Sequence, residues 1–392
     1  MQIDGINDAS NKSRVAIIVV GYNRIPAIKR LLGSLVSAKY QVEDIPLIIS
    51  IDGSGNQQLY DYVRNFEWPF GKKYVNIQEA RLGLKNHIFQ CFDYSQYFRG
   101  VILLEDDVFV SGYFYQYVLS ALDAYENEDR VAEIALYKDE MNGYVGLPFS
   151  PIQNGSDTYL MQDVCTSGEC VNWRMWSEFR TWMAVHSDDD FRSVDMPDTI
   201  KNWSRAWSKS YNAFVVSNQK YIVYPHTALT TNFNDVGEHG GDDGSITQVN
   251  LSFKDTGYQM KPFDELACYD IYFNNEQLYE WLGLGKDTVV LDTYGYNERL
   301  LKKYLLTTRE LPLKRERSFA LAMRPIELNV KFGIKGNGLY LYNTEEMEGC
   351  SIKGKYSKYV VPYYLDGFRN KLLLKPTIRY VFNKMLRMLH LK

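Results

Sequence analysis

The sequence predicts an α/β fold, an open sheet with flanking helices, from three short apolar runs that each end in a polar turn and lead into a helical pattern. The runs cover residues 15–20, 46–51 and 100–104. Continuous apolar strands of this length are those of parallel sheets covered on both faces. A second observation concerns their ends. Asn23, Asp52 and the triplet Glu105-Asp106-Asp107 all follow the carboxyl ends of these runs, where ligands bind in open α/β sheets.

The elements follow in order. After the first run, Ile25, Ile28, Leu31, Leu32, Leu35 and Val36 fall on one helical face, with Asn23 as the expected N-cap and Pro26 in the first turn. The second run enters Asp52-Gly53-Ser54-Gly55, and a helix is expected over 57–66. A short strand near 74–77 and a helix near 85–97 precede the third run. Beyond the acidic triplet come Val108-Phe109-Val110 and a helix from about 112 to 125. Residues 130–260 are rich in Trp, Asp and Gly with shorter elements. From 265 the pattern turns to short mixed elements at 288–291, 321–330 and 338–342. The expected domains are a polar extension (1–13), a catalytic domain (14–260, with halves 14–130 and 131–260), an accessory module (265–365) and a basic tail (366–392).

Composition narrows the function. The 392 residues carry a net charge of −4, which argues against a general nucleic-acid binder. Five cysteines form no disulfide framework and fit a reducing compartment. Cys165 and Cys170 lack a second pair to complete a zinc site and read as buried thiols. The first 14 residues lack the apolar stretch of a secretory signal, and no run approaches the ~18 apolar residues needed to span a bilayer. A cytoplasmic protein is expected. After Asp366 come seven Lys/Arg and no acid, with Ile378, Val381, Phe382, Met385, Leu386 and Leu389 on one helical face. Such a helix either docks on its own domain or lies on the inner face of an anionic membrane.

Three adjacent carboxylates at a buried strand end repel one another and are poorly solvated, so a cation or hydrogen-bond donors must compensate them. A hard divalent ion, Mn²⁺ or Mg²⁺, suits oxygen-only ligation. Bridging a diphosphate, it would neutralise a departing leaving group. No P-loop, H-E-x-x-H or G-x-S-x-G pattern competes with this reading.

Residues 15–24, 48–53 and 101–110 resemble the nucleotide-binding half of GT-A glycosyltransferases. The resemblance is to the β-1,2-N-acetylglucosaminyltransferase I family, with an Arg after strand one, an Asp after strand two and Glu-Asp-Asp before an aromatic-rich helix. Bacterial family-2-type glycosyltransferases of capsule and lipopolysaccharide pathways share the layout. The similarity spans roughly residues 14–245. It implies a Rossmann-like mixed sheet and assigns roles. Asp107 would bind the metal, with Asp106 towards the ribose and Glu105 towards the sugar or uridine. Asp52 would accept from the base, and Arg24, Arg81 and Lys85 would contact the donor. The segment 166–176 resembles the one that closes over the donor sugar, which would make Trp173 a donor contact; a Trp-rich core helix is the alternative for both tryptophans, more so for Trp176. Residues 198–207 resemble the Asp-Trp element that supplies the catalytic base. Here Lys201 and Asn202 occupy the nearest positions, so Asp198 is the expected base and Asp195 the reserve, each equally readable as a solvated helix cap. The run 188–190 reads more naturally as a solvated loop, and is the source of the acid if neither of these serves. His239, in a Gly-rich segment, reads as a further metal or diphosphate ligand or as part of a surface loop.

The expectation is an inverting, metal-dependent glycosyltransferase. It would move a sugar from a UDP-sugar to a hydroxyl of a glycan or lipid-linked glycan in bacterial surface polysaccharide synthesis. Two alternatives use the same residues: a metal-dependent nucleotidyltransferase or hydrolase acting on sugar nucleotides, and a non-catalytic scaffold subunit of a glycan-assembly complex.

Overall fold

The computed structural model describes residues 5–204, 206–236, 247–297, 302–348, 355–365 and Phe382. His239, the rest of segment 237–246 and the remainder of the basic tail lie outside the described residues. The chain forms two compact units, one of residues 1–144 and 149–277, the other of 145–148 and 278–392.

The first unit is built on a nine-stranded mixed sheet. Its parallel half contains β1 (Val15–Gly21), β2 (Leu47–Ile51), β3 (Lys73–Ile77) and β4 (Gly100–Glu105), in the order β3-β2-β1-β4. The short strand β5 (Val108–Val110) leaves this sheet and pairs antiparallel with Thr230–Asn232. Beyond β4 lie the strand Glu169–Val171, then β6 (Val131–Ala135), Tyr221–Pro225, Thr158–Met161 and Cys268–Tyr269. Glu169–Val171 runs antiparallel to both neighbours, so β6 points the same way as β4, and Tyr221–Pro225 is parallel to β6. The carboxyl ends of β1, β2, β4, β6 and Tyr221–Pro225 therefore share one edge.

The apolar runs become strands because both faces are covered. All seven residues of β1 and all five of β2 are buried, and each Val or Ile so buried contributes ~1.5–3 kcal/mol. Helix α1 (Ile25–Ser37) adds Ile28, Leu31, Leu32 and Leu35 to this core, on the face its periodicity indicates. Its cap differs from expectation. Arg24 occupies the N-cap position without a side-chain cap bond. Asn23 instead accepts from Asn56 Nδ2 at 2.6 Å, and Asn56 itself caps α2 (Gln57–Asn65) through Leu59 N. Helix α3 (Leu84–Asp93) continues into a 3₁₀ turn at Tyr94–Tyr97, and α4 (Phe114–Tyr125) follows β5. Helix α5 (Trp173–Met183) is capped by Asn172, whose side chain accepts from Met175 N at 2.9 Å. The very short α6 (Asp198–Lys201) precedes α7 (Trp207–Ser217). Cys165 and Cys170 are buried free thiols.

The second unit holds a four-stranded sheet, ordered Val289–Asp292, Tyr304–Thr307, Gly338–Met347 and Leu313–Ala320. Leu291, Leu306, Leu339 and Leu341 line its core with Leu278, Val330 and Tyr363. The element expected over 321–330 is instead an irregular passage to a short helix, Leu328–Lys331. Pro325 lacks an N–H to donate and so disfavours a continuous strand there. Among the described residues no helix is long and apolar enough to cross a membrane.

Candidate active site

The carboxyl ends of β1, β2 and β4 frame a cavity of ≈ 430 Å³. Arg24, Asp52, Arg81, Glu105, Asp106 and Asp107 line it, joined by Tyr22, His87 and the segment Asn234–Val236. The apolar strands carry no charge inside the sheet, so each polar group appears where a strand stops.

At the end of β2, Asp52 is buried and its carboxylate faces backbone donors. Oδ1 accepts from Gly53 N at 2.8 Å and Leu82 N at 2.7 Å, and Oδ2 accepts from Gly83 N at 3.0 Å. One side chain thus fixes the loop before α3. Gly53 lets that loop come close: a Cβ there would lie 2.4 Å from the carbonyl carbon of Ala80. Gly83, at φ +79°, takes the left-handed conformation that turns the chain into α3. The fixed loop carries Arg81, whose guanidinium lies 4.9 Å from the ring centre of Tyr22. Beneath it, His87 Nε2 and Ser50 Oγ are 2.7 Å apart. Burial pushes the His87 imidazole down to about 4, against the pull of Asp52, so it is neutral near pH 7.

At the end of β4 the acidic triplet divides. Arg24 grips Asp106 through two bonds, Nη2 to Oδ1 and Nε to Oδ2, the latter at 3.3 Å. The same Nη2 reaches Asp107 Oδ2 at 3.1 Å, and Nη1 donates to the carbonyl of Asp235 at 2.8 Å. Burial raises Asp106 to about 6 despite Arg24. Burial, then the charges of Asp107 and Asp106, push Glu105 up to about 8, opposed by Arg24 and a hydrogen bond from Trp207. Asp107 is the more open member, with 15% side-chain exposure against 6% for Asp106. Its Oδ1 takes a long 3.4 Å bond from Asn232 Nδ2. Asp235 is held in turn by Arg30, whose guanidinium also sits 3.9 Å from the ring centre of Phe233.

Behind Glu105, two further carboxyls share its face of the sheet. Glu169 pairs in register with Leu103 and with Ala135, each two residues from Glu105 and Glu133 respectively. Glu133 and Glu169 have no solvent exposure, and among the described residues each leaves one oxygen without a hydrogen-bond partner. Burial, then their mutual charge and that of Glu105, hold Glu169 far above the usual carboxylate range.

Other expected site residues lie elsewhere. Lys85 is not on the cavity wall; its ammonium lies 5.7 Å from the ring centre of Phe89. Trp173 begins α5, 41% exposed and away from the cavity lining. Trp176 is fully buried and donates to Asp93 Oδ1 at 2.7 Å. Asp198, at 84% side-chain exposure on α6, does not line the cavity. Neither does Asp195, which is exposed and accepts from the Tyr272 hydroxyl at 3.1 Å. Asp188, Asp189 and Asp190 are exposed.

The sequence reading missed Tyr22, His87 and Asp235. Tyr22 stands beside Arg24 at the strand end, a usable signal. His87 is one of five histidines and falls on the buried face of α3. Asp235 falls in the Gly-rich segment 234–243 around His239, which the sequence marks as a whole without marking this residue.

No protein-family model matches the sequence, and no curated protein matches it. The fold is similar in part to solved structures at low identity. Staphylococcus aureus TarS in complex with UDP-GlcNAc shares 15% identity over 58% of this chain and 60% of that one, with a TM-score of 0.38. A mannosyltransferase from Pyrobaculum calidifontis in complex with GDP-Man and Mn²⁺ shares 12% over 58% and 61%, at 0.36. GalNAc-T7 with UDP, GalNAc and Mn²⁺ shares 13% over 55% and 43%, at 0.37. The chain spans about three fifths of the length of the TarS 1–349 structures it matches.

Proposed function

We propose that the chain is a GT-A-type glycosyltransferase that takes a sugar from a nucleotide-sugar donor, UDP-linked by the sequence resemblance, and transfers it with inversion to a carbohydrate hydroxyl. One observation carries this reading. A single cavity at the carboxyl ends of β1, β2 and β4 brings two arginines, Arg24 and Arg81, together with the acidic triplet. Arginine forks suit phosphate oxygens, and the carboxylates suit a cation that accompanies them.

The residues present fit a hard divalent ion. Among the described residues no three His, Cys, Asp or Glu side chains form a full ligand set. Such ions need none here, since Mg²⁺ and its like take one or two carboxylates and complete their shells with water and substrate phosphates. Asp107, the open carboxylate, would hold the ion and Asp106 would support it. When bound, a Mn²⁺ or Mg²⁺ ion supplies charge neutralisation for a departing diphosphate.

The chain's own residues do the rest. Arg81, held by the Asp52-fixed loop, supplies a second positive charge for the donor. Tyr22 offers an apolar face beside it for a base or sugar. Asp52 uses three of its roughly four acceptor positions on backbone N–H groups, leaving one for a base N–H. Neither Asp198 nor Asp195 lines the cavity, so this reading rests on the donor side of the reaction. The acceptor in this reading is a glycan or lipid-linked glycan of a bacterial surface polysaccharide.

A thermal-shift screen of nucleoside diphosphates with and without Mn²⁺ tests it. At a ligand concentration about 100 times Kd, binding adds ~2.7 kcal/mol. For the first unit, which holds the site, that corresponds to a rise of about 5 °C. One base should give that rise, dependent on Mn²⁺, and Asp107→Ala should lose it. If no nucleotide shifts the melt, or the Asp107→Ala shift is full, the proposal fails. Sugar transfer from the matching donor, rather than synthesis of a nucleotide sugar from a sugar phosphate, separates it from a nucleotidyltransferase.

A further inference from the structure

We infer that Arg24 is an exchangeable internal cation: it neutralises the Asp106–Asp107 pair before loading, and yields Asp107, but not Asp106, to the divalent ion. The inference rests on the function proposed above.

The geometry separates the two carboxylates. Asp106 receives a two-bond fork from Arg24, through Nη2 and Nε, and is almost closed to solvent. Asp107 receives one bond at 3.1 Å, from an Nη2 already shared with Asp106. Among the described residues its other oxygen has only the 3.4 Å contact from Asn232. Charge-assisted bonds weaken as they lengthen and as one donor serves two acceptors, so Asp107 is the member released at least cost. A guanidinium and a divalent ion on the same carboxylate repel strongly at this partial burial. Each therefore weakens the other's hold on Asp107.

Release need not free Arg24. Its Nη1 remains on the Asp235 carbonyl at 2.8 Å, and Arg30 fixes Asp235 independently. The guanidinium keeps its place on the cavity wall, and the Nη2 donor it recovers is available to a phosphate oxygen. Arg24 would then oppose the ion when it comes alone and favour it when it comes with a diphosphate. The exchange makes binding of metal and nucleotide mutually dependent.

Electron paramagnetic resonance titration of Mn²⁺, without nucleotide, measures this directly in the full chain. Arg24→Gln removes the competitor and should bind Mn²⁺ about ten-fold more tightly than wild type, while its affinity for the nucleoside diphosphate falls. Arg24→Lys keeps the charge without the fork and should lie between the two. Unchanged or weaker Mn²⁺ binding in Arg24→Gln overturns the exchange. Should Arg24→Gln not fold, wild-type protein with ¹⁵N-labelled arginine decides the matter under Mg²⁺ titration. One Nε–H signal, absent from Arg24→Lys, should shift and stay protected; no shifting arginine signal overturns the inference. Wild type that binds Mn²⁺ with a nucleotide while these tests fail loses only the exchange. Wild type that binds no nucleotide with or without Mn²⁺ loses the functional reading as well.

Discussion

Replacing Asp52 by Asn distinguishes a loop-fixing carboxylate from one that serves only a ligand. The native side chain accepts backbone N–H groups at 2.7, 2.8 and 3.0 Å from Leu82, Gly53 and Gly83. Asn keeps one oxygen, best placed at the Oδ1 position, where it retains two bonds as neutral rather than charged. Each loses about 1 kcal/mol. The new NH₂ faces the Gly83 N–H, which is left without its acceptor at a cost of about 1–2 kcal/mol. The sum is roughly 3 kcal/mol, or a fall in Tm of about 6 °C for a unit of this size. Because the same loop carries Arg81, nucleotide affinity should fall as well. Scanning calorimetry with a parallel nucleotide titration reads both. A variant that melts with wild type refutes the loop-fixing role; loss of nucleotide binding alone would leave Asp52 as a base contact only.

Other expectations follow from the same contacts. Burial holds Glu169 far above the usual range, so the folded protein keeps a proton that the unfolded chain sheds above about pH 4.3. Stability is then greatest below that pH and declines as pH rises towards the folded pKa, at up to ~1.4 kcal/mol per pH unit. Glu169→Gln should match wild type near pH 4 and gain on it as the pH rises above that in thermal melts; a constant difference would contradict the assignment. Trp176→Ala should cost about 3–5 kcal/mol in denaturant unfolding, since the side chain is fully buried and hydrogen-bonded to Asp93. Trp173→Ala should cost less than Trp176→Ala, because the residue is 41% exposed. In the second unit, Asp292 is buried and paired with Arg309 Nε at 3.1 Å. Arg309→Met should therefore destabilise that unit by about 3 kcal/mol by stranding the charge, an effect visible in its unfolding transition.

The sequence by itself determined where the strands of the parallel half lie and where chemistry can occur. An apolar run is visible locally, and the first polar residue after it marks the edge of the sheet. That is why Asn23, Asp52 and Glu105–Asp107 stand out from the sequence itself, whereas Arg24 stands out only through the family resemblance. The sequence only leaned towards Trp176 as the more core-like of the two tryptophans; its full burial, against 41% exposure of Trp173, came from the packing of α5. Tertiary structure decided what these groups do to one another. Arg24 meets Asp106 across 82 positions of sequence, and Asp52 meets Leu82 across 30. Burial of Glu133 and Glu169 depends on which strands become neighbours of β4, and the exposure of Asp198 depends on how α6 packs. Periodicity encodes the face a residue takes on its own element. Partners and burial arise only when distant elements are brought together, because desolvation and charge act through space rather than along the chain.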